Sequence, residues 1–188
     1  MEHTLDVDNK KLIELLPKLA EFQLTHNELK NDVAYIFELA DQRCITEPEN
    51  CQSFIRVCYK EVFSLIEADI YLINQFNPFP EYRDSSDLET KIKKTFKHHA
   101  LTFGKEDDNK AYSDSWYRLL FEHKKIRDEV THPKGRESIN IDANKLVVIR
   151  KIFDDYHTFI STMMVNVFIK STVSWEDFTT GKFSFAEV

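Results

Sequence analysis

Arg127, Asp128 and His132 are the residues of this chain whose types and spacing could do chemistry. Histidine titrates near neutrality and can carry a proton in either direction. Arginine presents a planar fork that matches phosphate oxygens. Together they suit the transfer of a phosphoryl centre. On a regular helix, positions 127 and 132 lie roughly 140° apart around the axis, too far round to share a ligand. Pro133 changes that geometry. The residue before a proline is pushed out of the α region, so the helix should end at Thr131 or His132. The imidazole then projects from the helix end, and the long Arg127 side chain can reach toward it. Asp128 would hold the arginine or the histidine in place.

The setting is basic within an acidic chain. The net charge is −7 over 188 residues, which argues against broad, nonspecific duplex binding. Residues 118–136 nevertheless carry six cations, Arg118, Lys124, Lys125, Arg127, Lys134 and Arg136, against three carboxylates, Glu122, Asp128 and Glu129. Lys91, Lys93, Lys94 and Lys97 add to this basic part. Lys124, Lys125, Lys134 and Arg136 are the candidates for holding a phosphate backbone.

Arg127, a polar residue at 128, four residues between arginine and histidine, and then His132-Pro133 resemble the R-x(4–6)-H signature of the HEPN superfamily. The resemblance spans the helix arrangement over roughly residues 45–171. It implies a small helical bundle that works as a homodimer, and a metal-independent ribonuclease or toxin-like activity with a role in defence. It also implies RNA as substrate and, for a toxin, an antitoxin-like protein partner. No cofactor is implied. Asp128 stands where the family often has asparagine, and its charge would weaken local attraction for phosphate.

The elements that must position this motif read as helices. Asp8 can cap a first helix to about residue 43. Its stripe is Leu12, Leu15, Leu19, Phe22, His26, Leu29, Val33, Ile36 and Ala40. Pro17 should kink that helix or divide it in two. His26 on the stripe reads as a hydrogen-bonded core histidine. A central helix, apolar on more than one face, should run from about Asn50 to Phe76. Glu67 on it is a candidate to orient Arg127. Ser86-Asp87-Leu88-Glu89 fits a capping box for a third helix ending at Gly104. Of His98 and His99, at least one reads as surface.

Lys105–Lys110 reads as a charged loop, and Ser113 as the cap of the motif helix. Asp142 caps a last helix to about Ser171, with His157 beside its inward face as a structural residue. Trp175, Phe178, Phe183 and Phe185 make the tail aromatic-rich, and Thr180-Gly181 could turn a hairpin there. The fold class is therefore all-α: one domain over 1–188, an antiparallel bundle of five or six helices with its core at about 8–171 and a C-terminal tail at 172–188.

The N-terminus is polar, with no export segment. The longest apolar run, Phe159–Ile169, is too short to span a bilayer. The expectation is a cytoplasmic protein with no membrane association. Cys44, Cys51 and Cys58 are odd in number and contain no C-x-x-C pair, so they read as free thiols. No metal-ligand spacing is present. Two plainer readings of the motif stay open. The bundle could bind RNA, a nucleotide or a protein without catalysis. Arg127 and His132 could also serve only as cations at a helix C-terminus, which is stabilising by itself.

Overall fold

The central helix owes its place to its composition. In a computed structural model, residues 3–135, 137 and 140–170 are described. Helix α2 (Cys51–Phe76) buries Ile55, Cys58, Tyr59, Val62, Phe63, Leu65, Ile66, Ile70 and Ile73 along one broad side, and leaves Ser53, Lys60, Ser64 and Glu67 exposed on the other. Fully burying one such side chain contributes about 1.5–3 kcal/mol, so a helix of this kind is stable only inside other helices. α1 (His3–Thr46) supplies one wall. Leu19, Phe22, His26, Val33 and Ala40 are buried on it at three–four and seven spacing, as a helix-period stripe requires.

Among the described residues the regular structure is all helical: α1 and α2, then α3 (Leu88–Phe103), α4 (Glu106–Ser115), α5 (Tyr117–Thr131) and α6 (Asn144–Lys170), with a 3-10 turn at Pro48–Asn50. α1 and α2 are antiparallel, because His26 meets Asp69 while Cys44 meets Cys51. α6 also runs against α1: His157 lies at His26, and Arg150 at Asp41. The all-antiparallel expectation does not extend to α3. Phe96 packs on Phe159 and His99 bonds the Met163 carbonyl, so α3 and α6 run the same way. The segment 77–87 brings the chain back along α2 before α3 begins. Asn74 secures that return: its amide donates to Thr95 Oγ1 at 2.8 Å, and its oxygen accepts from Phe79 N at 3.4 Å.

Local boundaries differ from expectation in several places. α1 continues through Pro17 as one helix; its packing against α2 outweighs the one hydrogen bond a proline removes. α3 is capped by Asp87, which accepts from Thr90 N at 3.0 Å, one residue later than Ser86. Gly104 ends it at φ 70°, as a left-handed stop requires. The charged stretch expected to be a loop forms α4, whose first turn holds Glu106, Asp107 and Asp108; carboxylates there favour a helix N-terminus. Ser113 is inside α4, so it does not cap the motif helix, and Trp116 occupies that place without a side-chain cap. Asp142 does start the last helix, accepting from Asn144 N at 2.8 Å.

The cysteine expectation is corrected. Cys44 and Cys51 form a disulfide across the turn between α1 and α2, with Cα atoms 4.5 Å apart. Spacing along one helix excludes Cys51–Cys58, but the helical hairpin brings the other pair together. Cys58 is the free thiol; it is buried, and burial pushes its pKa up to about 12. No described helix is long and apolar enough to cross a membrane. The aromatic tail and its Thr180-Gly181 turn lie outside the described residues.

Candidate functional site

α5 carries the motif because one face of it is apolar and the other charged. Tyr117, Leu120, His123 and Val130 are buried, and Arg127 lies at the border of that face. The helix stops at Thr131, as Pro133 requires, and His132 follows at φ −128°, ψ 66°. Its amide still donates to the Asp128 carbonyl at 3.0 Å. The imidazole is exposed and makes no hydrogen bond among the described residues. This is the expected projection from the helix end.

Arg127 is held more firmly than its sequence position suggests. Its side chain is 18% exposed. Nη2 is paired with Glu67 of α2, and Nη1 lies 3.3 Å from Asp128 Oδ1. The guanidinium sits 5.4 Å above the centre of the Phe63 ring, within range for a cation–π contact. Glu67 is thus the carboxylate that orients the arginine. Nε is buried and, among the described residues, has no hydrogen-bond partner; the same is true of Thr131 Oγ1. The reach of Arg127 toward His132 is not realised: the guanidinium is turned to α2.

The candidate cations divide. Lys124 donates to Asp128 Oδ2 at 2.6 Å and is partly buried. Lys125 and Lys134 are exposed. Arg136 lies outside the described residues. Asp128 thus faces Arg127 and accepts from Lys124.

A cleft of about 320 Å³ opens beside Arg127, between α2, α5 and the start of α3. It contains four carboxylates, Glu67, Asp84, Asp87 and Asp128, against three cations, Lys91, Lys124 and Arg127. Lys91 donates to the Asp84 carbonyl at 2.5 Å. Tyr82 contributes a phenol whose pKa burial and the nearby Asp84 carboxylate push up to about 12. Its hydroxyl therefore stays protonated at neutral pH. The hydroxyl and amide of Thr90 hold Asp87 below its ordinary carboxylate value, so it is an anion there. His132 is not among the lining residues.

Sequence reasoning placed Lys91 in the basic part of the chain but missed Tyr82, Asp84 and Asp87, which a loop with no periodicity brings in. It also missed a pair one turn from the arginine. Tyr59 OH lies 2.5 Å from His123 Nδ1, and the two rings stack at 5.7 Å. Burial raises the Tyr59 pKa and lowers that of His123, so the phenol donates and the neutral imidazole accepts. That bond fixes the face of α5 against α2 next to Arg127. No group of three or more His, Cys, Asp or Glu side chains among the described residues could hold a metal ion.

Comparison of the chain with protein-family models, with curated proteins and with solved structures finds no match in any of the three.

Proposed function

We propose that the end of α5 is one half of a HEPN-like ribonuclease site, completed by a second copy of the chain. The observation that supports this most directly is the setting of Arg127. It is anchored from the core helix by Glu67 and lies over the Phe63 ring, and among the described residues its buried Nε lacks an acceptor. Arg127 also lines the cleft beside α5, and a phosphate oxygen is the acceptor that a guanidinium fits best. His132 stands at the same helix end, exposed to solvent.

One imidazole cannot be base and acid at once. A two-fold dimer brings two copies of one surface patch together. In the proposed reaction His132 of one protomer takes the proton of an RNA 2′-hydroxyl. The 2′-oxygen bonds to phosphorus and the bond to the 5′-oxygen breaks. His132 of the partner subunit returns a proton to that leaving oxygen. The two Arg127 guanidiniums offset charge on the pentavalent phosphorus. Lys125 and Lys134, exposed beside the motif, would track the backbone. We keep the cytoplasmic location, for which the Cys44–Cys51 disulfide removes the free-thiol argument, and a toxin-like role would require an antitoxin-like partner.

The test is cleavage of single-stranded RNA in excess chelator. Products should end in a 2′,3′-cyclic phosphate, and a substrate with hydrogen in place of the 2′-hydroxyl should be inert. A second reading, a noncatalytic module that binds RNA or a protein, is favoured by a different observation. Both terminal nitrogens of Arg127 already face carboxylates, and a phosphate must compete with them. RNA binding through this face with no cleavage, with or without added metal, would select that reading. A protein that stays monomeric at high concentration would remove the composite site.

A further inference from the structure

On the far side of α2 a second polar cluster lies under α1 and α6, remote in sequence from the motif. Asp69 of α2 is fully buried. Its Oδ2 accepts from Tyr156 OH at 2.8 Å and faces His26 Nδ1 at 2.9 Å. His26 Nε2 then faces His157 Nδ1 at 3.4 Å. Asp69 Oδ1 is buried with no hydrogen-bond partner among the described residues. The rings form a ladder: Phe22 on His26 at 5.8 Å, and His26 on His157 at 5.6 Å, both nearly parallel. The ladder opens onto a cavity of about 280 Å³ walled by Phe22, Ile160 and Met164, with His26 and His157 in its lining.

With both imidazoles neutral, the hydrogen-bond chain assigns their protons. Burial raises the pKa of Asp69, and the bonds from His26 and Tyr156 at Oδ2 oppose that rise, as they do for a carboxylate that only accepts. Tyr156 keeps its proton, because burial and Asp69 raise its pKa well above the ordinary value. His26 must then carry its proton on Nδ1, leaving a lone pair on Nε2. His157 must carry its proton on Nδ1 to meet that lone pair. Its own Nε2, which has no partner among the described residues, is left as an acceptor. The cluster in this state holds one buried negative charge, at Asp69, with no cation bonded to it.

We propose that this cavity binds a small apolar molecule carrying one acidic hydroxyl, a phenol or a carboxylic acid, with the hydroxyl on His157. The apolar walls take the body of the molecule. The volume is at the lower end of the roughly 300–1,000 Å³ of small-molecule sites, which suits a single ring. The proton step balances within the chain. The ligand O–H bond breaks and a bond to His157 Nε2 forms. The proton on His157 Nδ1 passes to His26 Nε2. The ligand oxyanion then accepts from His157 Nε2–H, and the imidazolium of His26 faces Asp69. His26 and Asp69 act as positioning residues, since they touch the ligand's proton only through His157.

The probe is 4-nitrophenol, whose anion is coloured, with 4-nitroanisole as the control that lacks the hydroxyl. At a pH where the free phenol is colourless, adding the protein should develop the phenolate band. The anisole should bind on the order of tenfold more weakly, the worth of one good hydrogen bond. His157→Phe preserves the ring ladder and should abolish the colour. Circular dichroism of that variant should match wild type, and Ile160→Trp, which fills the cavity and leaves the relay in place, should abolish binding of both probes. Equal binding of phenol and anisole, colour that persists in His157→Phe, or no binding of 4-nitrophenol at millimolar concentration would each overturn the proposal.

Discussion

The two histidine-bearing clusters of this molecule are built on opposite terms. At the end of α5 the motif residues are close in sequence and most of the charge is open to water: His132 is exposed, and Arg127, itself 18% exposed, is shared between Asp128 and the more distant Glu67, carboxylates that are 41% and 48% exposed. Under α1 and α6 the polar groups are far apart in sequence, buried except for half-buried His157, and each residue is held by one or two specific bonds. The first arrangement can exchange partners at little cost, because water replaces any bond that breaks. The second cannot, because a buried group that loses its partner keeps the whole desolvation penalty. Mutation should therefore move activity without stability at the first cluster, and stability strongly at the second.

The largest effects should be on chemistry at the exposed cluster. His132→Ala should lower RNA cleavage by on the order of 10²–10⁴, the usual size of an acid–base contribution. Arg127→Ala should lose a similar amount through unshielded transition-state charge. Arg127→Lys should rescue poorly, since a point charge does not reproduce the fork. Single-turnover rates check this, with urea midpoints close to wild type for His132→Ala. If His132→Ala unfolds the chain, the residue is a structural cap and the contrast between the two clusters disappears.

Next comes Asp69→Ala, which strands His26 and Tyr156 in the interior. Removing one partner of a buried pair costs about 3–5 kcal/mol, and urea denaturation should show a loss of that size with cleavage per folded molecule unchanged. A cost below about 1 kcal/mol would mean that the cluster is wet and labile like the first.

A third prediction uses acid in place of mutation. His99 is fully buried between α3 and α6, with Nε2 on the Met163 carbonyl and Phe76 and Phe103 against its ring. Burial, opposed by that carbonyl and aided by neighbouring His98, lowers its pKa from 6.5 to about 4. The unfolded chain thus takes up a proton near 6.5 that the native state refuses until about 4. The stability His99 permits is complete above the upper value and falls as pH drops to the lower one, by about 3 kcal/mol. His99→Gln, which can still donate to the carbonyl, should remove most of that slope when urea midpoints are compared across the interval. Parallel curves for the two proteins would show that the ring titrates as if in water.

The same contrast explains what could be read in the amino-acid sequence. The helices of the core were legible because Leu19, Phe22, His26, Val33 and Ala40 repeat with helical period, and because the apolar residues from Ile55 to Ile73 are too many for a narrow stripe. The end of α5 was legible because Pro133 acts on its immediate neighbour. Glu67 was legible as a charge embedded in an apolar helix that needs a partner. What failed depended on tertiary placement. α4 is polar apart from Ala111 and Tyr112, with no buried residue to mark its period. Cys44 and Cys51 meet only because the hairpin closes between them. His26 and His157 each read as structural on its own helix. Their alignment behind Asp69 spans residues 131 positions apart, and no local pattern records it. The cleft lining from Tyr82 to Asp87 comes from a loop that carries no period at all.

The smallest expected effect tests the exposed cluster from its other side. Glu67 is half-exposed, so its pair with Arg127 contributes under about 1 kcal/mol. Glu67→Gln keeps an oxygen in place to accept from the guanidinium but removes the charge that competes with phosphate. Glu67→Ala removes the anchor as well. If Glu67 positions the arginine, the two variants must separate. Glu67→Gln should bind RNA a few-fold tighter and turn over at close to the wild-type rate. Glu67→Ala should lose roughly tenfold in rate, because a misplaced catalytic group costs far more than a weakened pair. Both should unfold within about 1 kcal/mol of wild type. Identical kinetics for the two variants would make Glu67 a bystander and leave Phe63 and Asp128 as what holds Arg127. Tighter RNA binding by Glu67→Gln with no cleavage by any variant would keep the anchor but assign it to a binding module.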